Sequence, residues 1–386
     1  MPARLMGGVS PREMSQMEPA PAIIAYTSPF RLVFRSKQDE WAPTIEDING
    51  NSYDYVKLHR LSASLDIGLP APFCMHVAFD GSLLLPKTSE LWPVEKAVSV
   101  FNEILGTIVI GGIYFGPVAP TDIDQAALYP TGYFRAFGLA SGFQGQLRLA
   151  LQSKIASPLH SILLHDPRHV FAIDIHKSYS AGKTICTKVP PLSPEFLLLG
   201  ITGLVSHDWG AALTHLWVSV EQVVEHLWQE KVIAIPLRPD VTIQGRREFL
   251  SDSRTWTTST RIELLFQRGV IRGETYAKLN TARKARNDLV HAGALPSTDA
   301  AEAALDGAFQ LLASAIGADD IDKFAPMLQS YKKLDPIERH YSQKKVIPKE
   351  HVGFWMGPLP PIPGEKEWGD KPYENIYEEA AKEHHK

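Results

Sequence analysis

Between about 207 and 230, apolar residues recur every three or four positions: Leu213, Leu216, Trp217, Val220, Val223, Val224 and Leu227. Such a stripe predicts a helix that turns one face toward a core. After a long connection from Pro236 to about Thr258, TRIELLFQRG predicts a short helix. The pair Thr260 and Glu263 would open it as a capping box and Gly269 would close it. A longer helix is expected at about 274–291. A fourth is expected over DAAEAALDGAFQLLASAIG, with Leu305, Phe309, Leu312 and Ile316 on one face.

The first half has a mixed pattern. RLVFRS and YVKLHRLSASLDI read as strands, and CMHVAFDGSLLLP as a hairpin turning at Asp80-Gly81. PVEKAVSVFNEIL predicts a helix with Pro93 at its start, and TIVIGGIYFG a second hairpin around Gly111-Gly112. A helix is expected within GFQGQLRLALQSKIASPLHSILL, then a strand at HVFAIDI. A proline cluster, KVPPLSPEF, ends this half. The expected fold class is α+β. A loose arm covers 1–20, a mixed α+β domain 21–195, an all-helical domain 196–318, and an extended proline-rich tail 319–386.

Composition narrows the chemistry. A chain of 386 residues with 44% hydrophobic positions is long enough for two cores. Its formal net charge of −4 gives no general attraction to nucleic acid, so an anionic partner must meet a local basic patch. One such stretch runs from 261 to 295, with seven Arg or Lys against three Asp or Glu. Two distant cysteines, Cys74 and Cys186, fit a reducing compartment and exclude a disulfide framework or a Cys-rich zinc site. The N-terminus lacks the apolar run of a signal peptide. The longest uncharged stretch, ILGTIVIGGIYFGPVAPT, is broken by glycines and prolines, so a cytoplasmic protein without a membrane span is expected.

No cofactor or metal is expected. SAGKT at 180–184 lacks the first glycine of a phosphate-binding loop, and ICTKVPP after it does not read as a helix start. His160, His165, His169 and His176 have no acidic or Cys companions at ligand spacing.

The third helix of the second half ends in TARKARNDLVHAG. Cations in a last helical turn are ordinarily there for the macrodipole, and Gly293 is an ordinary terminator. Arg286, however, follows Leu279 and Ala282 at helical spacing, which aims it along the inner stripe, where a charge needs a partner or a cleft. Glu221 lies near the inner face of the first helix, so a Glu221–Arg286 ion pair is expected. Asn287 precedes His291 by one turn, on the same face.

This arrangement resembles the HEPN superfamily, whose Arg-Asn-x-x-x-His motif is matched by Arg286, Asn287 and His291. The preceding order is also similar: a long helix with a Glu inside its apolar stripe, a short helix ending in Gly, then the motif helix. The likeness covers roughly a third of the chain. An α+β half followed by such a helical half is similar to ApeA-like defence proteins.

The resemblance implies a metal-independent endoribonuclease that acts as a homodimer, the effector of a bacterial antiviral defence or toxin system. It implies acid/base work for His291, phosphate and transition-state charge for Arg286, and orientation of the His291 ring by Asn287. Arg283 and Lys284 would hold the RNA backbone. A regulator would bind through 21–195 or the tail. Two other roles fit the same motif: a non-catalytic HEPN dimerisation or RNA-binding module, and the effector subunit of a larger nucleic-acid-guided complex.

Overall fold

The computed structural model describes residues 18–155, 161–235, 243–318 and 322–334. In the first half the elements run β1 (Ala20–Ala25), β2 (Leu32–Phe34), α1 (Ile45–Asn49), α2 (Tyr55–Leu58), β3 (Leu61–Leu65), β4 (Met75–Ala78) and β5 (Leu83–Pro86). They continue with α3 (Val94–Ile110), β6 (Ile123–Leu128), β7 (Phe134–Ala136), α4 (Phe143–Gln152), α5 (Ser161–His165), β8 (His169–Phe171) and α6 (Ala172–Lys188). Six strands form one sheet in the order β3-β4-β5-β1-β6-β7, each ladder antiparallel. β2 and β8 pair in parallel beside it. The sheet curls, because the Leu61 N–H donates to the Gly132 carbonyl at 2.8 Å and the Phe134 N–H to His59 at 2.9 Å.

The second half is helical: α7 (Pro194–Val205), α8 (Trp209–Trp228), α9 (Arg246–Ser251), α10 (Thr258–Gln267), α11 (Gly273–Ala292), α12 (Thr298–Ala315) and α13 (Ala325–Lys332). α8 is the central rod, and α7, α10, α11 and α12 pack around it. Its expected stripe is buried from Leu213 through Leu227. The chain is therefore α+β, an N-terminal sheet with a helical C-terminal region.

Several expectations need correction. TIVIGGIYFG is not a hairpin: Thr107–Ile110 belong to α3, which ends at Gly111. The buried positions Ala97, Phe101, Ile104, Leu105 and Ile108 give a helical period once the run is followed back to Val94. HVFAIDI contributes only three strand residues before α6 begins at Ala172. SAGKT then lies inside α6, where its backbone N–H groups are taken by the helix. YVKL forms the short helix α2, capped by Asp54, ahead of strand β3. The cap of α10 is Thr257, whose side chain accepts the Thr260 N–H.

The expected boundary near 195 falls within continuous packing, since α7 rests on α3. The expected extended tail opens instead with α13, whose Leu328 and Tyr331 are buried. The Tyr331 hydroxyl donates to the Val109 carbonyl at 2.6 Å. Residues 319–321 and 335–386 of that tail, and residues 1–17 of the arm, lie outside the described residues. Among the described residues no helix is long and apolar enough to cross a membrane.

α3 and α6 cross with their backbones nearly touching. A Cβ on Gly182 would stand 1.9 Å from the Thr107 carbonyl oxygen. Ile175, Ser178, Tyr179 and Ile185 complete the buried side of α6. Gly182→Ala must push the helices apart, and overpacking of this kind costs about 1–3 kcal/mol. A clear fall in the urea midpoint is expected; an unchanged midpoint would show that the crossing yields freely.

An acidic corner fixes β2 to α2. Asp39 accepts the Arg35 N–H at 3.0 Å, lies 3.1 Å from the Lys57 ammonium, and pairs with Arg60. Burial pushes the Asp39 carboxyl up, but the Arg35 N–H and the Arg60 and Lys57 side chains outweigh it and hold it below its ordinary value. A depressed carboxylate stabilises the fold fully above its unfolded value, about 4, and that contribution disappears as pH falls through the folded value. Asp39→Asn should therefore flatten the acid limb of the stability–pH curve below about pH 4. Parallel limbs for variant and wild type would refute this.

Candidate functional site

α11 is a helix whose two ends behave differently. Its first half packs inward: Thr275, Leu279 and Ala282 are buried, and Gly307 of α12 gives Leu279 room, since a Cβ there would lie 2.9 Å from its Cδ2. Past Ala282 no α11 side chain is fully buried. Arg286, Asn287 and Leu289 are half-buried, Val290 is 55% exposed and His291 is exposed. Gly293 closes the helix at φ +65°, and the Gly293 and Ala294 N–H groups return to the Leu289 and Asp288 carbonyls at 3.1 and 3.2 Å. The helix end thus projects with its Asp288 and Leu289 carbonyls hydrogen-bonded by the closing turn.

The motif residues sit together on this projection. Steps of four, three, four and four place Tyr276, Asn280, Arg283, Asn287 and His291 along one stripe of α11. Arg286 stands beside that stripe, toward the line of Leu279 and Ala282. Lys284 is exposed on the outer side. The Arg283 guanidinium donates to Asn280 Oδ1 at 2.9 Å.

The expected Glu221–Arg286 pair is not formed. Glu221 Oε1 accepts the indole N–H of Trp217, one turn earlier on its own helix, at 2.8 Å. Glu225, one turn later, makes the ion pair to a neighbouring helix. Its partner is Arg261 of α10, whose guanidinium also lies over the Trp228 ring at 5.6 Å. The motif turns of α11 extend past the packing that ends at Ala282, and no α8 carboxylate meets them there. Val290, expected to continue the inner stripe, is exposed for the same reason.

Two consequences follow. Glu221 is bonded within its own helix rather than to Arg286. Arg286 has one polar neighbour, Asn287 Oδ1 at 3.5 Å, and no carboxylate partner among the described residues. A half-buried guanidinium left without a counter-charge is suited to receive an anion from solution.

Beside the motif, α10 and α11 enclose an open groove of about 520 Å³, lined by Trp256, Glu263, Tyr276, Asn280 and Arg283 among others. Tyr276 stacks on Phe266 with ring centroids 4.7 Å apart. Hydrogen bonds from Tyr276 and Gln267 hold the Glu263 carboxyl below its ordinary value. Sequence reasoning overlooked this groove, although the polar spacing that leads to His291 already begins at Tyr276. A wider groove of about 960 Å³ lies between β3 and α6, with Arg35, His176 and Lys183 on its walls.

The described histidines of the His-rich run are scattered: His176 lines that groove, while two others make local contacts. His169 stacks on Phe34 at 5.0 Å, and His165 Nδ1 lies 3.3 Å from the Pro43 carbonyl. His160 lies outside the described residues.

The fold and site therefore define an α+β chain whose helical half displays an Arg-Asn-x-x-x-His cluster at an exposed helix end. No protein family, no curated protein and no solved structure matches the chain.

Proposed function

We propose that this protein is a metal-independent endoribonuclease of HEPN type, acting in the cytoplasm as the effector of a bacterial defence or toxin system. The observation that carries the reading is the set of Arg286, Asn287 and His291 on the projecting turns of α11, with Arg286 unpaired by any carboxylate among the described residues.

In the proposed reaction a base removes the proton of a ribose 2′-hydroxyl, whose oxygen attacks the adjacent phosphorus. The P–O5′ bond breaks and the departing oxygen takes a proton. The products are a 2′,3′-cyclic phosphate and a 5′-hydroxyl. Imidazole suits the proton transfers because histidine as a class titrates near neutrality. The guanidinium fork of Arg286 suits the phosphorane oxygens, which carry the charge that develops. Asn287 would hold the His291 ring, and Arg283 and Lys284 would meet flanking phosphates. Two copies, joined through their α11 ends, would pair these residues in one cleft. A regulator would act through residues 21–195, where the groove between β3 and α6 offers room, or through the tail.

A second reading has its own support. Val290 and Leu295 are 55% and 87% exposed beside the motif. That apolar surface suits dimerisation whether or not the site cuts RNA.

The deciding experiment incubates the purified chain with total RNA in EDTA and maps the ends produced. Fragments with cyclic-phosphate ends, lost in the Arg286→Ala and His291→Ala chains, are the expected result. Equal cutting by all three would sink the site assignment. A folded wild type that cuts nothing favours the dimerisation module.

A further inference from the structure

The groove between α10 and α11 is separate from the Arg286–His291 cluster but opens onto the same stripe of α11. Tyr276, Asn280 and Arg283 line it, and Asn287 and His291 continue the line. With a rise of 1.5 Å per residue, Arg283 stands about 12 Å along the helix axis from His291. A few nucleotides of a single strand span that distance.

The lining suits a base better than a phosphate. Trp256 and Tyr276 supply flat apolar surface, and Phe266 backs Tyr276 in a near-parallel stack, 22° between planes. The Trp256 indole N–H is buried and has no hydrogen-bond partner among the described residues. Glu263 places a carboxylate in the wall, which repels a phosphate but accepts hydrogen bonds from an amine. Gln267 donates to one of its oxygens at 2.8 Å, and Tyr276 also bonds to it. A carboxylate has about four acceptor positions, so capacity remains for a ligand N–H. Carboxylates read the exocyclic amine of cytosine in this way. Uracil has no such donor. Arg283, steadied by Asn280 at 2.9 Å, stands at the edge of the groove toward the motif, where the next phosphate would pass.

We infer that the α10–α11 groove is a nucleobase subsite, taking one unpaired base with an exocyclic amino group from single-stranded RNA and aligning the strand toward His291. The base ring lies against Tyr276 and Trp256, and its amino group donates to Glu263. The subsite rests on the ribonuclease reading above and adds to it a substrate class: single-stranded RNA, with uridine disfavoured at this position.

The test uses the full-length His291→Ala chain, so that RNA is bound without being cut. Affinities are measured by fluorescence anisotropy for labelled oligocytidine, oligouridine and an abasic oligomer of equal length. Oligocytidine is expected to bind about tenfold more tightly than the other two. Glu263→Gln should erase the preference over uridine, and Tyr276→Leu, which removes the stacking ring, should weaken the base-containing oligomers toward the abasic one. Circular dichroism confirms that each variant is folded. Equal affinity for cytidine, uridine and abasic oligomers would overturn the subsite while leaving cleavage at His291 standing. Retention of the full preference by Glu263→Gln would also overturn it. Binding of none of the oligomers would overturn the subsite and the ribonuclease reading together.

Discussion

A chain carrying His291→Ala is expected to cleave RNA about 100- to 10,000-fold more slowly than the wild type, the usual contribution of a positioned acid/base group. Arg286→Ala is expected to lose about 100- to 1,000-fold, as when one preorganised donor to a developing oxyanion is removed. Arg286→Lys should recover only part of that loss, because a point charge does not reproduce the planar fork. The structure also supplies a control. Glu221→Gln should leave the rate unchanged, because the Glu221 carboxylate is held by Trp217 at 2.8 Å. Single-turnover cleavage of an end-labelled RNA separates these cases. A Glu221→Gln rate that falls as far as the Arg286→Ala rate would mean that the two residues act together after all. None of the three substitutions at 286 and 291 touches buried packing, since His291 is exposed and Arg286 half-buried. Their melting temperatures should therefore match the wild type.

Arg148→Ala is expected to destabilise the fold by about 3–5 kcal/mol, the cost of breaking a buried ion pair from one side. Arg148 and Asp80 have side chains 0% and 1% exposed, with Nε 3.6 Å from Oδ2. The guanidinium also donates to the Thr27 carbonyl at 2.7 Å and to Gln144 Oε1 at 2.8 Å. Asp80 in turn accepts the Ser82 N–H and the Gln152 amide, both at 3.0 Å. Arg148 thus ties α4 to β1 and to the β4–β5 turn. Burial lowers the Arg148 value, opposed by the neighbouring Asp80 charge, so the guanidinium depends on its acidic partner. Removing the arginine leaves a carboxylate in the interior without a counter-charge. The double variant Arg148→Met with Asp80→Asn removes both charges and should cost less than Arg148→Ala alone. Urea unfolding measures both. A loss below about 1 kcal/mol for Arg148→Ala would mean that water reaches Asp80 as easily as it reaches a surface pair.

Much of the helical half was legible in the sequence. α8, α10, α11 and α12 each bury residues at three- and four-residue spacing, and that period needs no neighbour to be recognised. The Asp80-Gly81 hairpin was legible as well, since the turn needs a residue at positive φ and Gly81 has φ +81°. Short apolar runs were not. TIVIGGIYFG shows its helical period only when followed back to Val94, and HVFAIDI is too short to reveal that a strand gives way to a helix at Ala172. The close crossing at Gly182 could not be read from a glycine alone. α13 was hidden inside a stretch whose later residues are rich in charge and proline.

The candidate site divides in the same way. The sequence by itself determined which residues share a face of α11, because an α-helix repeats its faces at a known interval and Arg283, Asn287 and His291 are four apart. It also determined where that helix stops, because Gly293 accepts the left-handed conformation. Only the tertiary structure decided what those faces meet. Glu221 and Glu225 are one turn apart and indistinguishable by pattern, yet one bonds to its own helix and the other to Arg261. Likewise α10 forms the second wall of the groove beside Tyr276, and nothing in the spacing of α11 announces it. The physical reason is that periodicity is a property of one helix, whereas burial, pairing and concavity each require a second element to arrive.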